Sequence, residues 1–258
     1  ILVILIDDAG YNDFGFMGSK EMQTPNIDAL TSEGVVFTDA HVAATVSSPS
    51  RACLITGRYG HRFGYECNLS DRTNGLPLEE ETIAEVFETN GYRTAAIGKW
   101  HLGSRDEQHP NNRGFDLFYG MKAGGRDYFY NEKKSDRPGD ERNLLLNDRQ
   151  VKFEKYLTDA FSEKAVEFIN ESSQPFMMYL AYNAVHTPMQ ATDEDMAKFE
   201  GHPRQKLAAM TYALDRGVGT VIRGLKDSGK FDNTLIFFLS DNGCLLYTSP
   251  SPRDRSLS

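Results

Sequence analysis

Two pairs of oxygen-bearing side chains stand directly after apolar stretches at opposite ends of the sequence. Asp7 and Asp8 follow the first apolar run, and Asp241 and Asn242 follow the last one. Three carboxylates and one amide suit a hard cation such as Ca²⁺ or Mg²⁺ better than zinc. Ligands of open α/β sheets gather at the carboxyl ends of strands, so we expect these four residues to form one metal site. The alternative is two helix caps and a turn.

Basic side chains follow two further apolar stretches. Lys99 and His101 come after the run that ends at Ile97, and their spacing of two puts both on one side of an extended segment. His186 follows the run that ends at Tyr182, where it could protonate a leaving alcohol. Each residue could instead be a solvated surface group or a loop histidine satisfied by its neighbours. Together with the acidic pairs, they indicate a site for an anionic substrate.

The segment after residue 46 predicts a short helix with a reactive N-terminus. Pro49 fits its first turn, and Gly57 suits the left-handed position that ends it. Ser47 then lies where free amides and the helix dipole favour an anion, unless it is only a helix cap. Arg51 lies one turn further on, and its forked donors suit oxyanions, although a surface arginine is the simpler interpretation.

The elements that would position these residues alternate between strand and helix patterns. This order predicts an α/β fold with a mostly parallel central sheet and helices on both faces. The predicted strands are Ile1–Ile6, Tyr92–Ile97, Phe176–Tyr182 and Thr234–Leu239. The predicted helices are Pro25 to about Gly34 with Thr24 as cap, Thr82–Thr89, Asp159–Asn170 and Gln205–Leu225. Val35–Thr38 is predicted to be extended, residues 106–155 to be long loops beside the site, and Gly124–Tyr130 either to line the cleft or to pack on the core.

Composition narrows the range of functions. The 258 residues suit one large domain, and the net charge of −9 argues against nucleic-acid binding. No apolar run approaches the length of a membrane span. The three cysteines include no Cys-x-x-Cys pair, which argues against cysteine-bound zinc.

Five motifs, in family order, resemble those of the type I sulfatases of the alkaline-phosphatase superfamily. They are Asp7-Asp8, Ser47–Arg58, Gly98–Gly103, His186-Thr187-Pro188 and Ser240–Gly243. The resemblance implies that Ser47 is oxidised after translation to formylglycine, whose hydrated aldehyde attacks the sulfur of a sulfate ester. Sulfate-ester hydrolysis is therefore the expected activity, in an alkaline-phosphatase-like sandwich.

The resemblance also implies a role for each candidate residue. Asp7, Asp8, Asp241 and Asn242 would bind a divalent ion, Ca²⁺ with Mg²⁺ as the alternative, together with the modified Ser47. Arg51 would hold the hydrated aldehyde, Lys99 would contact the sulfate, and His101 would assist turnover. His186 would be the second histidine on the sulfate side, and either His186 or Lys99 would assist cleavage of the S–O bond. The expected partners are a maturase that makes formylglycine and a sulfated small molecule or glycan, in a periplasmic or secreted parent protein.

Two features depart from the family pattern. The lysine that normally follows the Asp-Asn pair and the smaller C-terminal subdomain are both absent, so we expect this chain itself to be inactive. Serine is the less common precursor and implies a bacterial type of maturation by a radical enzyme, unless the parent residue was cysteine and has been changed. The stretch Cys244–Asp254 resembles the codon-by-codon translation of a transposase sequencing adapter, the alternative being a Ser/Pro-rich linker. We therefore expect a catalytic domain over residues 1–243 and a disordered, non-native tail over 244–258.

Two other functions stay open at this point. A phosphomonoesterase or phosphodiesterase of the same superfamily could use Ser47 with or without modification. A non-catalytic protein could instead retain the site only to bind sulfated glycans.

Overall fold

The computed structural model describes residues 1–68 and 75–244, so the predicted tail lies outside the described residues apart from Cys244. The strands are β1 (Leu2–Ile6), β2 (Arg93–Lys99), β3 (Leu117–Met121), β4 (Leu145–Leu146), β5 (Arg149–Gln150), β6 (Phe176–Ala181) and β7 (Ile236–Ser240). The helices are α1 (Pro25–Ser32), α2 (Ser47–Thr56), α3 (Ile83–Thr89), α4 (Leu157–Glu171), α5 (Asp193–Ala197) and α6 (Gln205–Asp227).

The seven strands of the described ranges form one sheet in the order β5-β4-β3-β2-β6-β1-β7. The run from β3 to β7 is parallel, whereas the short β4 and β5 pair in the antiparallel sense. β1 lies between β6 and β7, with Leu2 opposite both Met178 and Ile236. Because these strands are parallel, the residues that follow β1, β2, β6 and β7 meet at one edge of the sheet.

Both faces of the sheet are covered, as the apolar strands require. Alternate residues of β1 point to opposite faces, as in any strand. Ile4 and its neighbours on that face belong to the larger core, which includes residues of α1, α4 and α6. Leu5 belongs to a second core with residues of α2 and α3. This arrangement confirms the predicted α/β class and puts α2, which carries Ser47, against one face.

The capping of α1 differs from the prediction. Pro25 is the first residue of the helix as expected, but the Thr24 hydroxyl donates to Asp28 at 2.9 Å instead of binding the helix amides. Asp215 of α6 accepts the backbone amides of Asn26 and Ile27 at 3.0 and 2.8 Å. A carboxylate distant in sequence thus supplies the cap, which local pattern alone could not indicate.

Two predictions for irregular segments were incomplete or wrong. Residues 106–155 are not only loops, because β3, β4 and β5 lie within them. Gly120 lowers the strand propensity of β3, so this strand is hard to predict from the sequence. A glycine is nevertheless required at this position, because an added Cβ would lie 1.9 Å from the Gly98 carbonyl oxygen. Val35–Thr38 joins no strand of the described ranges, and the Val35 and Phe37 side chains are 83% and 75% exposed.

No helix within residues 1–68 and 75–244 has both the length and the apolar character needed to cross a bilayer.

Candidate active site

The two acidic pairs meet where β1 and β7 end side by side. The Asp8 amide donates to the Asp241 carboxylate at 3.1 Å, and the Asn242 side-chain amide donates to Asp8 at 2.8 Å. Asp7, Asp8 and Asp241 each offer one oxygen such that all three lie within 4.8 Å of one another. The structure thus brings together all four residues that the sequence predicted as metal ligands.

Helix α2 delivers Ser47 to this cluster. The helix begins at Ser47 and ends before Gly57, whose φ of 66° is the left-handed conformation predicted from the sequence. The Ser47 hydroxyl lies 2.7 Å from an oxygen of Asp241 and 3.4 Å from Asp7. Only 5% of Ser47 is exposed, so its hydroxyl faces the carboxylates and not bulk solvent.

Arg51 and Lys99 supply the positive charge of the cluster. One turn along α2, Arg51 donates to the Ser47 hydroxyl at 2.9 Å and to Asp241 at 2.9 Å. Lys99, the last residue of β2, reaches both oxygens of Asp7 at 2.9 and 2.7 Å. Both cations are fully buried, as are Asp7 and Asp241.

Burial and unequal pairing shift the pKa values of these groups in different directions. Burial raises the pKa of Asp7 to about 6, against the pull of the nearby Lys99. Burial also lowers the pKa of Lys99. The pKa of Asp241 is held well below its usual value, because Arg51 and Lys99 outweigh the effect of its burial. Of these two carboxylates, Asp241 is therefore the more strongly ionised.

The cluster has the donor chemistry of a divalent-cation site. It contains the three carboxylates of Asp7, Asp8 and Asp241 against the two cations Arg51 and Lys99, which leaves a negative excess. The side-chain oxygen of Asn242 is buried and accepts no hydrogen bond from the part of the chain that the structure describes. A buried acceptor without a donor is costly, and a hard cation would satisfy it. The residues present therefore fit a Ca²⁺ or Mg²⁺ ion.

Two histidines complete the polar edge. His186 follows β6, and its Nε2 lies 3.7 Å from Asp8. His101 follows Lys99 by two residues, as the spacing predicted, but it does so with a left-handed φ of 57° and not in an extended strand. Burial, reinforced by the charges of Lys99 and Arg51, lowers the pKa of His101 well below its usual value. The imidazole of His101 is therefore neutral near pH 7.

Some supporting residues were not identified from the sequence. The Ser48 hydroxyl lies 2.7 Å from both the Tyr65 hydroxyl and the His101 carbonyl oxygen. Ser50 donates to the Asp241 carbonyl oxygen. These contacts tie α2 to the strand ends on both sides of it. The sequence does contain a sign of these contacts, the group of three serines within residues 47–50. The sequence pattern alone, however, drew attention only to Ser47.

The fold and the order of these motifs along it define an α/β protein of the sulfatase type. A sequence profile of the family described as Sulfatase matches residues 1–256. The chain belongs to the sulfatase family.

Curated relatives agree with this assignment. The chain is 33% identical to the Uncharacterized sulfatase YdeN of Escherichia coli (strain K12), over 95% of this chain and 52% of that protein. It is 36% identical to Arylsulfatase G of Mus musculus, over 94% of this chain and 51% of the relative. N-acetylgalactosamine-6-sulfatase of Homo sapiens is 30% identical, over 97% and 51% of the two chains. The chain thus spans about half the length of the curated relatives it matches.

Solved structures share the fold. The structure of Ps i-CgsB in complex with k-i-k-neocarrahexaose superposes with a TM-score of 0.89 at 42% identity, covering 98% of this chain and 62% of that one. The PsFucS1 sulfatase from Pseudoalteromonas sp. gives a TM-score of 0.73 at 26% identity, covering 93% and 54%.

Proposed function

We propose that the whole protein hydrolyses sulfate esters, releasing an alcohol and inorganic sulfate. One observation carries the proposal: Ser47, three carboxylates, two buried cations and two histidines converge at one edge of the sheet. Family membership and relatives named as sulfatases support the same activity.

Ser47 is proposed as the precursor of formylglycine. Its oxidation removes two hydrogens from the alcohol and needs an external maturase, for which we propose a radical enzyme. When hydrated, the aldehyde would supply the hydroxyl nucleophile that attacks sulfur. The chain's own contribution is orientation: Arg51 donates to the oxygen of residue 47 at 2.9 Å, and α2 holds that oxygen beside Asp241.

A divalent cation, Ca²⁺ with Mg²⁺ as the alternative, is proposed for Asp7, Asp8, Asp241, Asn242 and the oxygen of residue 47. Such an ion would polarise the sulfate oxygen that it binds. Lys99 would bind a second sulfate oxygen once Asp7 is shared with the cation, since its ammonium is already buried at the site. His186 is proposed to donate a proton to the leaving alcohol, and the neutral His101 to accept a proton from the hydroxyl of residue 47 during turnover.

A sulfated glycan is the proposed substrate class. One superposed structure holds Ps i-CgsB in complex with k-i-k-neocarrahexaose, and that protein is 42% identical to this chain. A location in the periplasm or outside the cell is proposed with it, in line with the resemblance to the sulfatase family.

Mass spectrometry and paired esterase assays test the proposal. In a host with a serine-competent maturase, the peptide that contains Ser47 should lose about two mass units, as an alcohol becomes an aldehyde. The whole protein should then cleave an aryl sulfate much faster than the matching aryl phosphate. An unmodified Ser47 with preferred phosphate cleavage would instead establish the phosphohydrolase alternative, and glycan binding without turnover would establish the non-catalytic one.

A further inference from the structure

The segment Ala123–Tyr128 touches both candidate catalytic histidines from outside the motifs that carry them. It follows β3, and it is brought to the site because the His101 amide donates to the Lys122 carbonyl oxygen at 3.0 Å. Within the segment, Gly124 lies beside the ring of His101 and Gly125 lies beside the ring of His186. No residue of this segment belongs to the proposed nucleophile or cation site.

The two glycines allow contacts that other residues would prevent. A Cβ added at Gly124 would lie 2.6 Å from Nε2 and 2.7 Å from Cε1 of His101. At Gly125 the added atom would lie 3.3 Å from Cε1 and 3.4 Å from Nδ1 of His186. At the first distances either the ring or the glycine backbone must shift, because real Cβ contacts are not that short, whereas the second distances are only tight. The glycine backbone therefore forms one wall of each imidazole site.

Tyr128 adds a third contact to the segment that carries His186. Its buried hydroxyl lies 2.5 Å from the Asn183 carbonyl oxygen and 2.8 Å from that of His186. Its ring stacks on Tyr156 with centroids 5.3 Å apart. The backbone of His186 is thus held by Tyr128 while its ring faces Gly125.

A buried ion pair fixes the segment itself. Arg126 donates to both oxygens of Asp136 at 2.7 and 2.9 Å, and both side chains are fully buried. Arg126 also donates to the Arg142 carbonyl oxygen at 2.8 Å and lies over the Phe153 ring at 4.7 Å. Both bonds to Asp136 come from Nη2, and as charge-assisted bonds they are stronger than neutral ones, so together with the Arg142 contact they hold the segment in place.

From these contacts we propose that Ala123–Tyr128 is a positioning clasp: Gly124 and Gly125 set the ring orientations of His101 and His186 for the proposed sulfatase reaction. The proposal rests on the proposed function for its catalytic consequence, but the ring contacts do not depend on it. Gly124 and Gly125 are positioning residues, since they would act through the histidines.

The test is a graded set of Gly→Ala variants of the whole protein, followed by NMR of ¹⁵N-labelled histidine rings and by aryl sulfate kinetics. Gly124→Ala should shift the ring signals of His101 and leave those of the exposed His41 and His61 in place. It should also lower kcat by roughly 10- to 100-fold with KM nearly unchanged, as expected for a misplaced catalytic group. Gly125→Ala should shift His186 and cost less. Gly34→Ala is the matched control, because its added Cβ would meet only the Leu30 carbonyl oxygen, at 3.5 Å, among the described residues.

Unchanged ring signals of His101 in a folded Gly124→Ala protein would overturn the clasp, and so would a loss of kcat equal in all three variants. If Gly124→Ala does not fold, Gly125→Ala decides through the ring signal of His186. A set of variants that shows the ring shifts, in a protein that cleaves neither an aryl sulfate nor a sulfated glycan, would overturn the proposed function and leave the clasp intact.

Discussion

Two buried clusters of charge in this protein balance their charges differently. At the site, the three carboxylates of Asp7, Asp8 and Asp241 face the two cations Arg51 and Lys99. Beside it, Arg126 faces Asp136, one charge against one, through two hydrogen bonds. The first cluster has an excess of acceptors, while the second pairs its two charges completely.

This difference in charge pairing distinguishes a cluster suited to binding and reaction from one that only stabilises the fold. A buried group without a partner costs free energy, and such groups persist where a ligand or a reaction uses them. A fully paired buried ion pair has nothing left to offer a ligand. We therefore expect changes at the site cluster to show first in turnover, and changes at the Arg126–Asp136 pair to show first in stability.

The largest expected effect is on turnover at Ser47. Ser47→Ala removes the proposed nucleophile precursor and should lower kcat/KM by on the order of 10⁴-fold or more, as for other enzymes that lose their nucleophile. Its Tm should stay close to that of the wild type. Aryl sulfate assays and thermal melts of the whole protein check both, with Ser32→Ala at an exposed helix end as the control. Retained activity would exclude the formylglycine mechanism.

The next largest effect is the loss of protein stability when the buried Arg126–Asp136 ion pair is broken. Asp136→Ala leaves the Arg126 guanidinium buried without its partner, and the free energy of unfolding should fall by about 3–5 kcal/mol. Denaturant unfolding measures this. Glu132→Ala is the matched control, because it breaks an exposed pair with Lys152 and should change stability little. Equal losses in the two variants would mean that burial does not distinguish these pairs.

Substitution of the basic residues at the site should lower turnover. Lys99→Ala and His186→Ala should each lower kcat/KM by on the order of 10²-fold, the size of a lost oxyanion contact or proton donor. Lys155→Ala, on an exposed pair with Glu163, serves as the control for Lys99. Near-normal kinetics in both site variants would place sulfate binding elsewhere.

The smallest expected effect is a dependence of stability on pH, caused by Asp7 in the site cluster. With a chelator present, the pKa of Asp7 is about 6 in the folded protein against 3.8 as its ordinary value, so the folded state holds the extra proton between them. The free energy of unfolding should therefore fall as pH rises through this interval. Ca²⁺ needs the carboxylate, so its stabilisation, about 2.7 kcal/mol at one hundred times Kd, should grow as pH rises. Thermal melts at pH 5 and 7.5, with and without Ca²⁺, would show it. A Ca²⁺ effect that is equal at both pH values would contradict the role of Asp7 as a ligand.

The residues that follow strands were predictable because parallel order sends all of them to one edge. Asp7, Lys99, His186 and Asp241 needed only the strand patterns before them, and the structure brings them together. The cap on α1 was not predictable, because Asp215 is 189 positions away from Asn26. The clasp was predictable only in part: the sequence left Gly124–Tyr130 either at the cleft or on the core, and a glycine pair shows nothing of the ring it faces until the chain is folded.

The neighbouring order of β1 and β7 in the sheet also constrains the timing of folding. The Asp8 amide and the Asp241 carboxylate that joins it are 233 positions apart. Contacts of such sequence separation form late, because the entropy of closing the loop comes first. During synthesis, the site therefore stays incomplete until β7 has been made and has paired with β1. Until then the Ser47 hydroxyl lacks its contact with Asp241. The maturase proposed for Ser47 would have that interval in which to reach the hydroxyl, before it is enclosed beside Asp241.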